Sequence, residues 1–269
     1  LAILAINSFL KMGLEFINNL IFKKGFREGY EGIVFSLLGS AIPLLGLLRY
    51  YEKYFREGKV IANNLSKIKN ILIIKMGGVG DVVLLTPVIR NFKKLIPQAQ
   101  LHILVLEGLE PLLKNNPYID SITTITYKAQ PQEIQNIASL FREQNIDLAI
   151  NLQSTNFSSK ILKNVSSRWK INRSYYFRDK DTDVLVGFTN TYRSVIERDF
   201  DVLRTIGLNP NKKYTEVFLD KSEIAWAKDF FLLNGLSGNK TTIVIHPGSS
   251  LKIRSWGVEK YAPLCRKLI

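Results

Sequence analysis

Asp81 closes a glycine-rich turn, Gly77-Gly78-Val79-Gly80, which itself follows four apolar residues, Ile71 to Ile74. A short apolar run of this kind makes a buried parallel strand, and glycines let the backbone turn sharply without a Cβ clash. A strand, glycine turn and helix present unpaired backbone N–H groups at the C-terminal edge of a sheet. A carboxylate there faces the crevice where α/β proteins bind ligands. Far along the chain, His246-Pro247-Gly248-Ser249-Ser250 follows a second apolar run, Thr241 to Ile245. That loop offers hydroxyls and backbone donors to a diphosphate, and Arg254 adds a fixed cation suited to paired hydrogen bonds with phosphate oxygens.

On residues alone, three readings of the first stretch stay open. As a dinucleotide fingerprint, G-x-G-x-x-G, it keeps Gly78 and Gly80 but has Val83 at the third glycine. A P-loop fails, because no Gly-Lys-Ser/Thr closes the turn. A structural βα turn needs Asp81 only as a helix cap. His102 reads as an ordinary strand residue and His246 as one that orients its loop. With two histidines and a single cysteine, Cys265, no His/Cys cluster supplies a zinc site. No intrachain disulfide can form either, which fits a reducing cytosol.

The elements that must position these residues alternate from Ile71 onward, as a doubly wound sheet requires. A helix is expected from Val82 to about Ile96, strands at Leu101 to Leu106 and Ile119 to Tyr127, and an amphipathic helix at Pro131 to Gln144. A buried strand, Ile146 to Leu152, delivers Gln153-Ser154-Thr155 to the crevice edge. Arg168 to Arg178, basic and aromatic, reads as a solvated loop, with contact to phosphates as the alternative. Tyr192 to Leu208 reads as a helix ended near Gly207, and Ser222 to Asn234 as a helix with Ser222 at its N-cap. Gly235 to Lys240 then enters a second domain, with a strand at Thr241 to Ile245 and a helix from Tyr261.

Leu1 to Asn64 has a different composition. Leu1 to Phe22 is largely apolar, and Lys23, Lys24, Phe26, Arg27 and Tyr30 form a basic and aromatic patch. Gly32 to Leu48 carries no charge, which is at the short edge for a spanning helix, and Gly39, Pro43 and Gly46 interrupt it. A membrane-surface segment with aromatic and basic anchors fits, as does a helical hairpin packed on a partner domain. No basic n-region precedes the first apolar stretch, so it does not read as a signal peptide. The net charge of +14 calls for an anionic partner. The cations are scattered and no nucleic-acid motif appears, so a membrane surface or phosphorylated lipid is expected and nucleic acid is not. With no initial methionine and an end inside an expected helix, the chain reads as a fragment.

Lys75 to Asp81, followed by Leu85-Thr86-Pro87, resembles the N-terminal signature of glycosyltransferase family 9, the heptosyltransferases that build the lipopolysaccharide inner core. Ile243 to Tyr261 (IVIHPGSSLKIRSWGVEKY) resembles the family's later His-Pro-Gly-Ser/Ala-Ser, Lys/Arg-x-Trp and Glu-Lys-Tyr/Trp run. The resemblance covers about Lys69 to Ile269. It has departures: Asn151-Leu152-Gln153 stands where the family often has Asp-x-Gln, Arg254 where lysine is common, and the histidine near the start of the helix after Tyr192 is absent. Lys24 to Gly32 resembles, more briefly, the C-terminal tail of family 2 glycosyltransferases of core synthesis, which makes Tyr50 to Asn64 a linker.

The resemblance implies an α/β, GT-B type fold. It consists of one complete Rossmann-like acceptor domain (65–235) and the start of a nucleotide-sugar domain (236–269), preceded by a helical, membrane-associating tail (1–64). It implies inverting, metal-independent transfer of a heptose or related sugar from a nucleotide-diphosphate sugar, ADP-heptose by default, to a lipopolysaccharide core acceptor. Asp81 would be the catalytic base. Gly78, Gly80, Gln153, Ser249, Ser250 and Arg254 would bind substrates, with no cofactor or metal. The protein would work in the cytoplasm, peripherally on the inner membrane. With most of the donor domain lying beyond Ile269, this stretch alone is expected to bind donor poorly and turn over little. Two rivals remain: a non-catalytic, membrane-associated module that binds an anionic glycolipid or a partner glycosyltransferase, and a nicotinamide-dependent oxidoreductase that rests on Gly78 and Gly80 alone.

Overall fold

The fold is that of a computed structural model, which describes residues 2–51, 56–174, 181–187, 193–236, 241–249 and 251–268. Two compact units divide it, Leu1–Phe218 and Leu219–Ile269.

The chain opens with helices α1 (Ala2–Ile17), α2 (Gly29–Ser40) and α3 (Ile42–Tyr51). A π-turn over Asn18–Phe22 and a 3-10 turn over Gly25–Glu28 join the first two, and α1 packs against both α2 and α3. Helix α4 (Glu57–Ala62) brings the chain to the main domain. Its Ile61 is fully buried in that domain's core, and a Cβ on Gly58 would lie 2.3 Å from the Thr205 carbonyl oxygen.

Six strands come next: β1 (Asn70–Ile74), β2 (Gln100–Leu106), β3 (Ser121–Ile125), β4 (Leu148–Asn151), β5 (Trp169–Ser174) and β6 (Val184–Gly187). All pairings are parallel, and the order is β3-β2-β1-β4-β5-β6. That is the doubly wound order whose ligand crevice opens between the two strands where the winding reverses, here β1 and β4. Helices α5 (Val79–Val83), α6 (Thr86–Leu95), α7 (Pro131–Glu143), α8 (Asn156–Asn164) and α9 (Val195–Thr205) connect and flank the strands. Ile71, Ile73, Leu101, Ile103 and Ile150 pack on one face with Phe92 and Phe200. Leu72, Ile74, Leu104 and Ala149 pack on the other with Phe141 and Ile161. Helices on both faces explain why β1 is an unbroken apolar run rather than an alternating one.

Several expectations change. The single helix over 82–96 is two helices, α5 and α6, separated at Leu84 and Leu85. Pro87 lies in the first turn of α6; it has no N–H to give and its ring would meet the carbonyl of Val83 in a continuous helix. The strands at 119–127 and 146–152 are shorter than expected. Trp169–Ser174 is a sheet strand, not a solvated loop; the remainder of the Arg168 to Arg178 patch, 175–178, lies outside the described residues. Helix α9 ends as expected at Gly207, which takes φ +78°, with Leu208 N–H on Leu203 O and Gly207 N–H on Arg204 O, both 3.0 Å. This is a Schellman end.

Beyond α9 the segment 211–216 is strapped to α6. Arg90, almost fully buried, donates to Glu216 Oε1 at 2.7 Å and Tyr214 O at 3.0 Å, and also to Lys212 O. Its guanidinium lies 3.8 Å from the Tyr214 ring centroid. Asn91 exchanges two hydrogen bonds with the Asn211 backbone, at 2.8 and 2.9 Å, and Glu216 N–H donates to Thr86 Oγ1 at 3.0 Å.

In the second unit, α10 (Lys221–Leu233) is capped by Asp220, not Ser222. Asp220 Oδ1 accepts from Glu223 N–H at 2.9 Å, and Glu223 Oε2 accepts from Asp220 N–H at 2.8 Å, a capping box. Thr241 to Ile245 is not a strand: a strand needs a ladder partner, and none pairs with it among the described residues. Helix α11 (Val258–Leu268) closes the chain's described part.

Candidate functional site

The C-terminal ends of β1 and β4 meet where Leu152 N–H donates to Ile74 O at 3.0 Å. The turn after β1 starts buried at Lys75, Met76 and Gly77 and becomes exposed at Gly78, Val79 and Gly80. Asp81 folds back over this turn. Its Oδ2 accepts from Gly78 N–H at 3.2 Å, so the carboxylate sits at the mouth of the crevice and caps α5 at the same time. The cap reading and the site reading are therefore compatible. Among the described residues, no hydrogen bond occupies its second oxygen.

Gly77, rather than Gly78 or Gly80, is the glycine that this geometry requires. A Cβ on Gly77 would lie 2.2 Å from Asp81 Oδ2 and 2.4 Å from Asp81 Cβ, whereas a Cβ on Gly78 or Gly80 would meet nothing within 4 Å. None of the three has a positive φ. The open space over Gly78 and Gly80 is instead room for something to approach the backbone.

Beneath the turn lies a charge cluster that the sequence reading did not single out. Lys75 Nζ donates to Asp199 Oδ2 at 3.1 Å and reaches Leu152 O at 3.5 Å. Arg173 Nη1 pairs with Asp199 Oδ1. All three side chains are buried, so β1, β5 and α9 are tied by one carboxylate between two cations. Burial, with Arg173 beside it, pulls the Lys75 pKa well below the usual lysine range, while Asp81 pulls it the other way. A lysine directly after a buried strand, and an aspartate in the apolar face of an amphipathic helix, were the available signals.

On the β4 side, Asn151 is fully buried and holds structure rather than facing a ligand. Its Nδ2 donates to Ser158 Oγ at 3.0 Å and Asn172 Oδ1 at 2.9 Å, and its Oδ1 accepts from Gln153 N–H at 3.0 Å. Only a side chain with both a donor and an acceptor can do this. Gln153 is two residues on, and its Oε1 is buried without a hydrogen-bond partner among the described residues. His102 is an internal strand residue, with Nδ1 2.7 Å from Ser121 Oγ and Nε2 3.3 Å from Asn70 Oδ1.

The second unit holds the other residues. Ser249 Oγ accepts from Leu251 N–H at 3.4 Å. Arg254 ends a 3-10 turn, Lys252–Arg254, with its N–H on Leu251 O at 2.9 Å, and is exposed. Ser255 Oγ reaches back to Pro247 O at 3.4 Å, and Trp256 meets Tyr261 edge to face at 5.2 Å. Ser249 and Arg254 thus share one short closed loop, and Ser250 lies outside the described residues.

No protein-family model matches the chain. Lipopolysaccharide heptosyltransferase 3 of Escherichia coli K12 is 28% identical over 193 residues, 68% of this chain and 55% of that protein. The chain thus spans about half the length of this curated relative. A glycosyl transferase family 9 structure from Veillonella parvula superposes with a TM-score of 0.68 at 19% identity, over 74% of this chain and 59% of the other. E. coli heptosyltransferase WaaC with ADP does so with a TM-score of 0.54 at 15% identity, over 74% and 63%. By sequence likeness and shared parallel-sheet fold together, the chain resembles the heptosyltransferases of glycosyltransferase family 9.

Proposed function

We propose that the protein carrying this chain moves a heptose or related sugar from a nucleotide-diphosphate sugar to a lipopolysaccharide core acceptor, and that Asp81 is its general base. The observation that carries the reading is Asp81 itself, held at the switch-point crevice by one oxygen on Gly78 N–H with its other oxygen directed to no protein donor among the described residues. In this reading that oxygen takes the proton of the acceptor hydroxyl as the hydroxyl oxygen attacks the anomeric carbon. The bond to the diphosphate breaks in the same displacement, which inverts the anomeric centre. Gln153 Oε1, a buried acceptor without a partner among the described residues, suits a hydroxyl of the acceptor sugar.

The leaving diphosphate needs positive charge and donors where its own charge grows. Ser249, Ser250, Arg254 and backbone N–H groups of their loop would supply them, in a nucleotide-sugar domain begun by the second unit. ADP bound to the related WaaC supports an ADP-sugar as donor. Metal independence is supported by how aspartates of the first unit's Asp-x-Asp pairs are engaged. Asp199 is locked between Lys75 and Arg173, Asp201 pairs with Arg193 and Arg204, and Asp181 pairs with Lys163. The acceptor is a lipid, so the reading also puts the protein in the cytoplasm, against the inner membrane.

Asp81→Asn in the full-length gene product tests the assignment. The amide keeps an acceptor oxygen for Gly78 N–H but has no basic oxygen, so transfer to the lipid acceptor is expected to vanish while donor affinity stays within about threefold. Wild-type turnover in that variant sinks the base assignment. Binding of donor with no transfer by the wild-type protein to any core glycolipid favours the non-catalytic module.

A further inference from the structure

Helix α2 packs with the wrong side inward for water. In α2 the buried residues are Gly32, Ser36 and Ser40. Ser36 and Ser40 are 4% and 1% exposed, whereas Tyr30, Phe35 and Leu38 on the same helix are 81%, 69% and 61% exposed. The small face lets backbones touch: a Cβ on Gly32 would lie 1.8 Å from Gly25 O, and one on Gly25 would lie 2.6 Å from Ser36 Oγ. Ser36 Oγ donates internally to Gly32 O at 2.7 Å and Ser40 Oγ to Leu37 O at 2.7 Å, so no polar group of that face needs water. Small residues at the contact and large apolar residues outside is the arrangement of helices whose solvent is hydrocarbon.

Outward apolar residues also run along the neighbouring helices. On α1, Phe9, Leu10, Gly13, Leu14 and Ile17 line one shallow groove at the three- and four-residue spacing of a single helix face. Ile42, Leu45 and Leu48 are exposed on α3. A partner protein would cover one groove or one face; an apolar surface spread over three helices calls for a medium that surrounds them. The charges fall where such a medium ends. Lys11 and Glu15 lie off the apolar stripe of α1 and are exposed, and Lys23, Lys24 and Arg27 crowd the exposed turn between α1 and α2.

We propose that α1, α2 and α3 form an anchor seated in one leaflet of an anionic phospholipid bilayer, with the outward apolar side chains among the acyl chains and the basic residues at headgroup depth. The segment Gly25–Gly46 is long and apolar enough to cross a bilayer. Lys11 and Glu15, midway along α1, decide against crossing, because they would sit near the bilayer centre, where an ionised side chain is costly. At headgroup depth the same charges stay hydrated while the stripe beside them is buried. This sharpens the membrane contact proposed above from apposition to burial, and it does not depend on the transfer chemistry.

The test uses the full chain with vesicles of phosphatidylethanolamine and phosphatidylglycerol. Phe35→Trp adds a fluorophore at an outward position, read as the difference from the unchanged protein. Its emission is expected to shift to the blue on mixing with vesicles, and most of the added signal to be lost when the acyl chains carry bromine. Phe35→Glu with Leu38→Glu is expected to abolish flotation while the thermal unfolding of the main domain stays where it was. Emission that ignores the vesicles, or flotation of the glutamate variant at the wild-type level, overturns the anchor. So does quenching by headgroup-labelled lipid alone, although that result keeps surface contact. Recovery of the protein as a soluble complex whose partner protects these residues would replace lipid by protein as the occupant. Asp81→Asn should float like wild type, so failure of the anchor and failure of the base assignment remain distinguishable.

Discussion

Replacing Gly77 by alanine probes how the turn holds its carboxylate. The added methyl would stand 2.2 Å from Asp81 Oδ2 and 2.4 Å from Asp81 Cβ. The Cβ is fixed by the α5 backbone, so rotating the carboxylate away relieves only part of the clash, and the turn must also shift. Rotation breaks the 3.2 Å bond from Gly78 N–H. Losing a capping interaction of this kind costs about 0.5–2 kcal/mol, and forcing an extra methyl into a packed site adds about 1–3 kcal/mol. The sum, roughly 1.5–5 kcal/mol, should lower the unfolding midpoint by on the order of 3–20 °C for a domain of this size. A base displaced by about 1 Å should also slow transfer on the order of 100-fold. Gly80→Ala is the contrast: its methyl meets nothing within 4 Å, and alanine in a helix is favoured over glycine by about 0.5–1 kcal/mol. Circular-dichroism melts on both variants, and a radiolabelled transfer assay on Gly77→Ala, read the difference. If Gly77→Ala melts and turns over like wild type, or if the two variants melt alike, the steric argument fails.

Three further outcomes are expected. Asp199→Asn leaves Lys75 and Arg173 as buried cations without their shared carboxylate, and urea unfolding should show a loss of about 3–5 kcal/mol; a loss under about 1 kcal/mol would mean that water or another acid already serves them. Asn151→Asp restores the family's Asp-x-Gln spelling but removes the donor to Asn172 and Ser158. It should cost about 1–3 kcal/mol, and an unchanged melt would show that the amide network is dispensable. Burial lowers the His102 pKa below 6.5, with Asp120 opposing. The unfolded chain therefore takes up its proton first: stability is full above about pH 6.5 and declines as the pH falls below it. His102→Asn should flatten that part of the stability–pH curve, and an undiminished slope assigns it to other groups.

Strands β1 to β4 were legible from their apolar and β-branched runs, while β6 was not expected; helices were legible where they begin or end on strong local signals, Pro131 at one end and Gly207 at another. The features that local signals miss depend on partners distant in sequence. β5 contains Lys170, Asn172 and Arg173, and nothing local reveals that Arg173 will meet Asp199 or that Asn172 will meet Asn151, so a basic loop is the natural reading. Lys75 can be placed at the end of β1 but not in a charge cluster, for the same reason. Asp81 and Gln153 each lie just beyond a strand of the switch point, while reading them as site residues comes from the family resemblance. Assigning the steric burden to Gly77 rather than to its neighbours requires knowing which way the carboxylate folds.

The strap made by Arg90 and Asn91 has a bearing on how such proteins can be reassembled. Residues 211–216 are fastened to α6 by a guanidinium that water scarcely reaches, so the chain leaves the first unit from an exit whose position is set by the helix that follows the turn carrying Asp81. Torsions within that strap cannot change without uncovering the buried cation, and any reorientation of the chain after Phe218 is left to bonds beyond Glu216. Exchanging the residues after Phe218 removes none of these bonds, so the exit stays fastened to α6 whatever follows it.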